Sequence, residues 1–309
     1  MSYPLIIAEK LTKKYKENVA VNSLNLEIEK GEIFGLLGPN GAGKTTTISM
    51  LDGILKKTSG RIFIKGVDID KNLYKVKDNI GFAPQESDIY NRKLTVKEYL
   101  IFFGHCHNIW GGKLKNRVEE VANKTGLWEH KNKYVNQLSG GLKKRLILAT
   151  SIIHKPEILF VDEPSLGVDP KGRRDIRTIL KLLNNEGTTI IINTNYVNEA
   201  EILCDRIGIL RKGNLIACKS PDEIKQSNSD RQQISIETNN NNLLIDFLNI
   251  QNYISYEIHD NNVIIDINKN DSTRFMQKLI SFLYENNILT NNLRIDEKSL
   301  EDIFIDITQ

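Results

Sequence analysis

The stretch Gly38-Pro39-Asn40-Gly41-Ala42-Gly43-Lys44-Thr45-Thr46 carries the most chemistry in the chain. It fits G-x-x-x-x-G-K-[ST], a phosphate-binding loop. Glycines let the backbone turn tightly and aim successive N–H groups at phosphate oxygens. Lys44 adds a cation for the β- and γ-phosphates, and the Thr45 hydroxyl offers an oxygen to Mg²⁺. A second centre is Asp162-Glu163, where the apolar run Ile158-Leu159-Phe160-Val161 opens onto two carboxylates. There Asp162 would coordinate Mg²⁺, and Glu163 would orient or deprotonate an attacking water. Ser139-Gly140-Gly141 is a further anion site if the serine caps a helix and the glycines leave its N–H groups open; for that segment alone a plain N-cap is the simpler reading. Gln85, just past Pro84, reads on its own as a polar loop residue. Tyr15 either stacks on a flat base or is an ordinary surface or core aromatic. His105-Cys106-His107 is too crowded for a metal site and has no second ligand cluster at useful spacing, so helix-end packing is expected there.

The elements that must hold these residues follow from the hydrophobic pattern. Ile33 to Leu37 is a short apolar run, read as a buried strand feeding the glycine loop, and Thr45 to Leu51 continues as a helix. Residues 5–9 and 24–28 read as strands, with Val19 to Val21 as part of another; Leu24 to Ile28 alternates with period two. Tyr15 then falls between two strands. Ile80 to Ala83 reads as a strand ended by Pro84. Residues 95–137 read as mostly helical, starting at the capping box Thr95-Val96-Lys97-Glu98. Thr188 to Thr194 is a further buried strand with Asn195 at its exit, and residues 205–217 read as strand, turn and strand.

Composition sets the outer bounds. The chain has 309 residues, 40% hydrophobic and 26% charged, which suits one large or two ordinary folded domains. A net charge of +3 permits contact with an anionic membrane surface and makes no case for nucleic acid. No apolar run approaches the roughly 18 residues of a membrane span. The first ten residues lack a signal-peptide layout. Cys106, Cys204 and Cys218 have no paired spacing, and read as reduced thiols of a cytosolic protein.

From the phosphate loop through Gln85 and Leu138-Ser139-Gly140-Gly141 to Asp162-Glu163-Pro164 and the Ser165 to Asp169 loop, the motifs fall in one order and spacing. Residues 5 to about 224 thereby resemble the nucleotide-binding subunit of ABC transporters. The resemblance implies an α/β P-loop NTPase cassette over residues 1–224, with a mixed sheet, an antiparallel β subdomain and a helical subdomain at about 86–150. It implies ATP and Mg²⁺, with Tyr15 stacking on adenine and Gly38 to Thr46 holding the phosphates. Thr45, Asp162 and Gln85 would meet Mg²⁺, with Gln85 also touching the attacking water, and Glu163 would be the catalytic base. Ser139, Gly140 and Gly141 would close on the γ-phosphate of an opposite cassette, and Asp169 would signal across the pair. The implied partners are a second cassette in a homodimer and a separate multi-helix permease that holds the cassette at the cytoplasmic face of the membrane.

One position departs from the family. A histidine that contacts the γ-phosphate is replaced by Asn195, which can donate a hydrogen bond and cannot carry a charge. Slow hydrolysis is expected, and a weakly hydrolytic ATP-gated switch is the alternative. The continuation Leu142-Lys143-Lys144-Arg145 and the tail from Ser299 to Thr308 resemble single-cassette exporters of drugs, antibiotics, polysaccharide or sodium. Relatives that act on ribosomes or DNA usually carry two cassettes or long coiled-coil insertions; neither is present here.

Beyond the cassette, residues 225–233 read as a linker within the polar run Lys219 to Gln233, and 234–309 as a small α+β domain. A hairpin is expected at Asp260-Asn261-Asn262, a loop at asparagines 239–242, and a helix over Ser272 to Glu285. Ser299 would cap a last helix with Leu300, Ile303, Phe304 and Ile307 on one face, serving either as internal core or as a dimer contact.

Overall fold

The structure, a computed structural model, describes residues 3–85, 93–227, 231–238, 241–250, 254–259 and 262–308. By its internal contacts the chain divides into two units, Met1–Ser220 and Pro221–Gln309.

The first unit contains two sheets. The antiparallel one has the order β2-β1-β4-β5, from β1 (Ile6–Tyr15), β2 (Asn18–Ile28), β4 (Ser59–Ile64) and β5 (Val67–Asp68). Both long strands exceed the sequence expectation. β1 runs on to Tyr15, so this tyrosine ends a strand and does not lie between strands. The two segments expected at 19–21 and 24–28 are one strand, β2, interrupted by register shifts against β1. At the irregularity Ser23 has φ +46°, and its N–H donates to the Thr12 hydroxyl at 3.0 Å. A bulge of this kind breaks the period-two pattern, which hides the continuity of the strand.

The second sheet has the order β10-β9-β3-β8-β7-β6. Its strands are β3 (Ile33–Leu37), β6 (Ile80–Ala83), β7 (Ile158–Asp162), β8 (Thr189–Asn193), β9 (Arg206–Arg211) and β10 (Asn214–Lys219). All run parallel except β10, which pairs antiparallel with β9. Every residue of β3, β7 and β8 is buried, as a parallel sheet covered on both faces requires. In the β7–β8 register Asp162 lies opposite Asn193, so the polar residues of both strands emerge side by side.

The helices are α1 (Lys44–Leu51), α2 (Leu73–Lys77), α3 (Val96–Cys106), α4 (Gly111–Lys124), α5 (Gly140–Ser151), α6 (Pro170–Asn185) and α7 (Val197–Leu203). The capping box at Thr95 and Glu98 is formed and starts α3. Past the C-cap of α4, Gly126 takes φ +64°, the left-handed turn that stops a helix. Ser139 caps α5 and Asp169 caps α6, the latter accepting from Gly172 N at 3.1 Å with Pro170 as the first helical residue. The rings of Phe34 and Phe160 lie fully buried in the core. His105 stacks on Trp110 with ring centres 4.2 Å apart, and His107 on His154 at 3.9 Å.

The second unit has the elements α8 (Pro221–Ser227), β11 (Arg231–Thr238), α9 (Asn241–Asn249), β12 (Ser255–His259), β13 (Asn262–Asn268), α10 (Lys269–Glu285), β14 (Thr290–Glu297) and α11 (Leu300–Thr308). Its four strands form an antiparallel sheet, β12-β13-β11-β14, over a core that includes Ile234, Ile236, Ile265, Phe275 and Leu279. The stretch expected as linker differs. Residues 221–227 are helical, with proline first and Asp222 and Glu223 in the opening turn, both favourable at a helix N-terminus. β11 already starts at Arg231. Of the four asparagines, 241 and 242 begin α9, while 239 and 240 lie outside the described residues, as do Asp260 and Asn261 of the expected hairpin turn. On α11, Leu300 and Ile303 are covered within the single chain, and Phe304 and Ile307 are partly so. Among the described residues no helix is long and apolar enough to cross a membrane.

Candidate functional site

The loop between β3 and α1 is shaped by its glycines. Gly43 caps α1 with φ +101°, and a Cβ there would overlap the Ala20 carbonyl oxygen, so only glycine fits. Lys44 is buried, with 6% of its surface exposed, and its Nζ donates to the carbonyls of Gly38 at 2.7 Å and Pro39 at 3.1 Å. Burial pushes its pKa down, while the carboxylates of Glu163 and Asp162 push it back up.

The ends of β7 and β8 stand next to this loop. Asp162 is buried at 5% exposure and accepts a hydrogen bond from Asn193 Nδ2. The same Nδ2 donates to Thr45 Oγ1 at 3.2 Å, so one amide bridges the helix start and the strand end. Glu163 follows with φ +45°, a left-handed conformation that a non-glycine residue rarely adopts, and its N–H donates to Asn193 O at 2.8 Å. Asn195 Nδ2 donates to Glu163 Oε1 at 2.6 Å and to Asn40 Oδ1 at 3.2 Å. Burial raises the pKa of both carboxylates. For Asp162 the hydrogen bond from Asn193 opposes that rise; for Glu163 the charge of Lys44 does.

Two further side chains lock the surroundings. Lys144, on α5, donates to the backbone carbonyls of Gln85 and of Glu163, the latter at 3.1 Å. Glu199, on α7, is 6% exposed and accepts from the hydroxyls of Ser165 and Thr194, the latter at 2.8 Å.

A cleft of about 700 Å³ lies over this arrangement. Asn40, Gly41, Gly43, Lys44, Thr45, Thr46, Gln85, Glu163 and Asn195 line it, all named from the sequence. Asn18, Val19, Ala20, Leu166 and Lys212 line it too, and sequence reasoning did not single them out. Gly38, Pro39 and Ala42 belong to the loop without lining the cleft, and Asp162 reaches it through Asn193 and Thr45. Tyr15 does not line the cleft. It is 47% exposed at the end of β1, opposite Asn18, with Lys13 Nζ 4.9 Å from its ring centre. Ser139, Gly140 and Gly141 also lie off the cleft, at the start of α5. A Cβ added to Gly141 would meet Val168 at 3.6 Å and Asp169 at 4.0 Å, so this turn sits against the Ser165 to Asp169 loop. Asn193, Lys144 and Glu199 are the functional-site residues missed. Asn193 did leave a trace, as a polar residue closing the apolar run Ile190-Ile191-Ile192.

The arrangement can hold a polyphosphate on backbone N–H groups and one cation, hold a hard metal ion on oxygen ligands, and present a basic carboxylate to water. Known proteins resemble the chain in sequence and fold. Residues 21–166 match the family described as ABC transporter. The chain is 34% identical over 306 residues, 98% of each chain, to the linearmycin resistance ATP-binding protein LnrL of Bacillus subtilis. Among solved structures it resembles cbiO1 of Clostridium perfringens, part of the ABC transporter complex cbiONQ, at 28% identity and TM-score 0.68, covering 81% of this chain and 96% of that one. It also resembles MJ0796, a bacterial ABC transporter cassette solved as a dimer, at 28% identity and TM-score 0.62, covering 70% of this chain and 98% of that one.

Proposed function

This chain belongs to the ABC transporter family as an ATP-binding subunit, and we propose that it hydrolyses ATP to drive a separate multi-helix permease that exports its cargo. The observation that carries the reading is the meeting, in one cleft, of Lys44, Thr45, Gln85, Glu163 and Asn195, with Asp162 tied in beneath. The resemblance to a resistance protein along the whole chain supports export.

The residues fit Mg²⁺. The Thr45 hydroxyl, the Asp162 carboxylate and the Gln85 amide make an all-oxygen set of the kind a hard cation takes, and the buried Oδ1 of Asn193 lacks a donor among the described residues. When bound, Mg²⁺ would neutralise charge on the β- and γ-phosphate oxygens. The loop N–H groups and Lys44 bind and orient the phosphates. Glu163, more basic than an ordinary glutamate through burial, takes a proton from the water that attacks the γ-phosphate. Asn195 fixes Oε1 of that carboxylate through the hydrogen bond from its amide. Tyr15 stacks on the base. Ser139, Gly140 and Gly141 act in a second copy's cleft, so the working unit is a homodimer bound through the permease to the cytoplasmic face of the membrane.

Asn195 supplies a neutral donor where the family pattern has histidine, so hydrolysis is slow. That substitution also favours the second reading, an ATP-gated switch with little turnover. Glu163→Gln tests both, because the amide keeps the shape of the side chain and loses the base. We expect the variant to bind ATP like wild type, to release no phosphate above background, and to trap an ATP-dependent dimer on size-exclusion chromatography. Steady-state phosphate release by wild type in the reconstituted complex separates motor from switch. Turnover of Glu163→Gln equal to wild type would remove the base from its role.

A further inference from the structure

Asn193 is completely buried at the end of β8, with 0% of its surface exposed. Three isoleucines precede it in the strand. A fourth apolar side chain would continue that run with no polar group to satisfy. An asparagine stands there instead, and its amide is used on one side only. Nδ2 donates to Thr45 Oγ1 at 3.2 Å and to Asp162 Oδ1. Oδ1 is buried, and no donor among the described residues reaches it. A buried amide oxygen without a donor is unfavourable unless something else supplies one.

The two atoms that the amide bridges are on two of the three side chains assigned above to the divalent cation. We propose that Asn193 is a positioning residue for that cation: its NH₂ group sets the spacing of the Thr45 hydroxyl and the Asp162 carboxylate, and its Oδ1 accepts a hydrogen bond from a water that the hydrated ion brings with it. Mg²⁺ held by one or two protein side chains keeps several of its waters, which supplies the donor that Oδ1 lacks. Partners of this outer kind orient the ligands, and removing them typically changes metal affinity about 10- to 100-fold. The simpler reading, that Asn193 only fills space, accounts for its burial. It leaves unexplained why the residue is an amide and why both of its hydrogen bonds go to these two oxygens.

The inference rests on the reading of Thr45 and Asp162 as cation ligands, and its test separates the two. The full chain is titrated with Mg²⁺ at a fixed concentration of a fluorescent ATP analogue, and the analogue's affinity in EDTA serves as the metal-free reference. Asn193→Leu, close in volume and without polar atoms, should raise the half-saturating Mg²⁺ concentration by about tenfold or more and leave the affinity in EDTA unchanged. Asn193→Thr suits a strand and keeps one hydroxyl donor, so it should fall between wild type and leucine; it decides the matter alone if the leucine variant does not fold. Asp162→Asn is the reference for the metal site. If it raises the Mg²⁺ requirement and neither Asn193 variant does, the inference is overturned and the metal assignment stands. A loss of affinity in EDTA equal to the loss in Mg²⁺ also overturns it, since that is what structural damage would do. If Asp162→Asn leaves the requirement unchanged, the metal assignment fails and the inference falls with it.

Discussion

Asn195 shows how one side chain sets the chemistry of another. Its amide points a donor at Glu163 Oε1, 2.6 Å away, and a second hydrogen bond ties it to Asn40 in the phosphate loop. A histidine here can carry a positive charge as negative charge develops on the phosphate; an amide cannot. Contacts made only in the transition state are typically worth on the order of 10²- to 10³-fold in rate. Asn195→His should therefore raise turnover and barely alter ATP affinity, because the gain lies in the transition state alone. Steady-state phosphate release and nucleotide titration, both with permease present, check this. Unchanged or lower turnover would mean that the site is built around the amide. At this scale the lining of the cleft was readable where it is written in consecutive residues, as in the phosphate loop, while Ser139-Gly140-Gly141 lie off it. The phosphate loop and the Asp162-Glu163 pair dictate their own local backbone, and nine of the residues expected in the site do line the cleft. Asn193 and Lys144 escaped because partners of theirs lie far along the chain, 148 residues away for the Asn193–Thr45 bond and 59 for Lys144–Gln85. Glu199 escaped because its bond to Ser165, 34 residues back, joins two loops that only the fold brings together. Only the parallel register of β7 and β8 makes Asn193 a neighbour of Asp162.

Among elements, the helical part of the cassette has an acid-sensitive seam. His107 caps the C-terminus of α3 and stacks on His154, which follows α5. His154 Nε2 donates to the Ile80 carbonyl at 2.9 Å, and its Nδ1 is buried without a partner among the described residues. Burial lowers the pKa of His154 to about 4; His107 and Arg117 push it further down, and the Ile80 carbonyl and Asp78 pull it up. A histidine depressed below its ordinary value of 6.5 holds fewer protons folded than unfolded. Its contribution to stability is complete above pH 6.5 and is lost as the pH falls toward 4. Asp52 works the other way: burial raises its pKa to about 6, so protonation below that value relieves a cost. Because the other groups are common to both proteins, we expect the melting temperature of wild type to drop relative to that of His154→Gln between pH 6.5 and 5. Parallel slopes in melts followed by circular dichroism would refute this. The sequence did disclose helices here, through the Thr95–Glu98 box and the stop at Gly126. It hid β2, whose bulge at Ser23 breaks the alternation, and α8, whose proline and serines read as a linker.

For the whole molecule, the boundary near Ser220 matters most. Each unit has its own apolar core, one around Phe34 and Phe160 and the other around Phe275 and Leu279. A chain ending at Ser220 should fold and bind ATP with close to full-length affinity, as judged by a cooperative melt and nucleotide titration. A truncated chain that aggregates or fails to bind nucleotide would show that residues 221–309 complete the cassette. The same chain, assayed for ATP-dependent dimers, shows whether α11 contributes to assembly; Leu300 and Ile303 are already covered within one chain. The existence of a second α+β unit was legible from its alternating and helical apolar patterns. Its start was not, because helix formation at 221–227 depends on end effects, with proline and acidic residues at the N-terminus, that carry no apolar stripe.

Glu199 has a mechanical consequence for the loops around the cleft. Its buried carboxylate accepts from Ser165, at the start of the loop that packs against Gly141, and from Thr194, next to Asn195 in the cleft wall. Pulling either hydroxyl away would strand part of a buried carboxylate, at a cost on the order of a few kcal/mol. The two loops are therefore energetically coupled through this side chain. A displacement at the loop beside Gly141 and one at the cleft wall beside Asn195 would both load this one carboxylate.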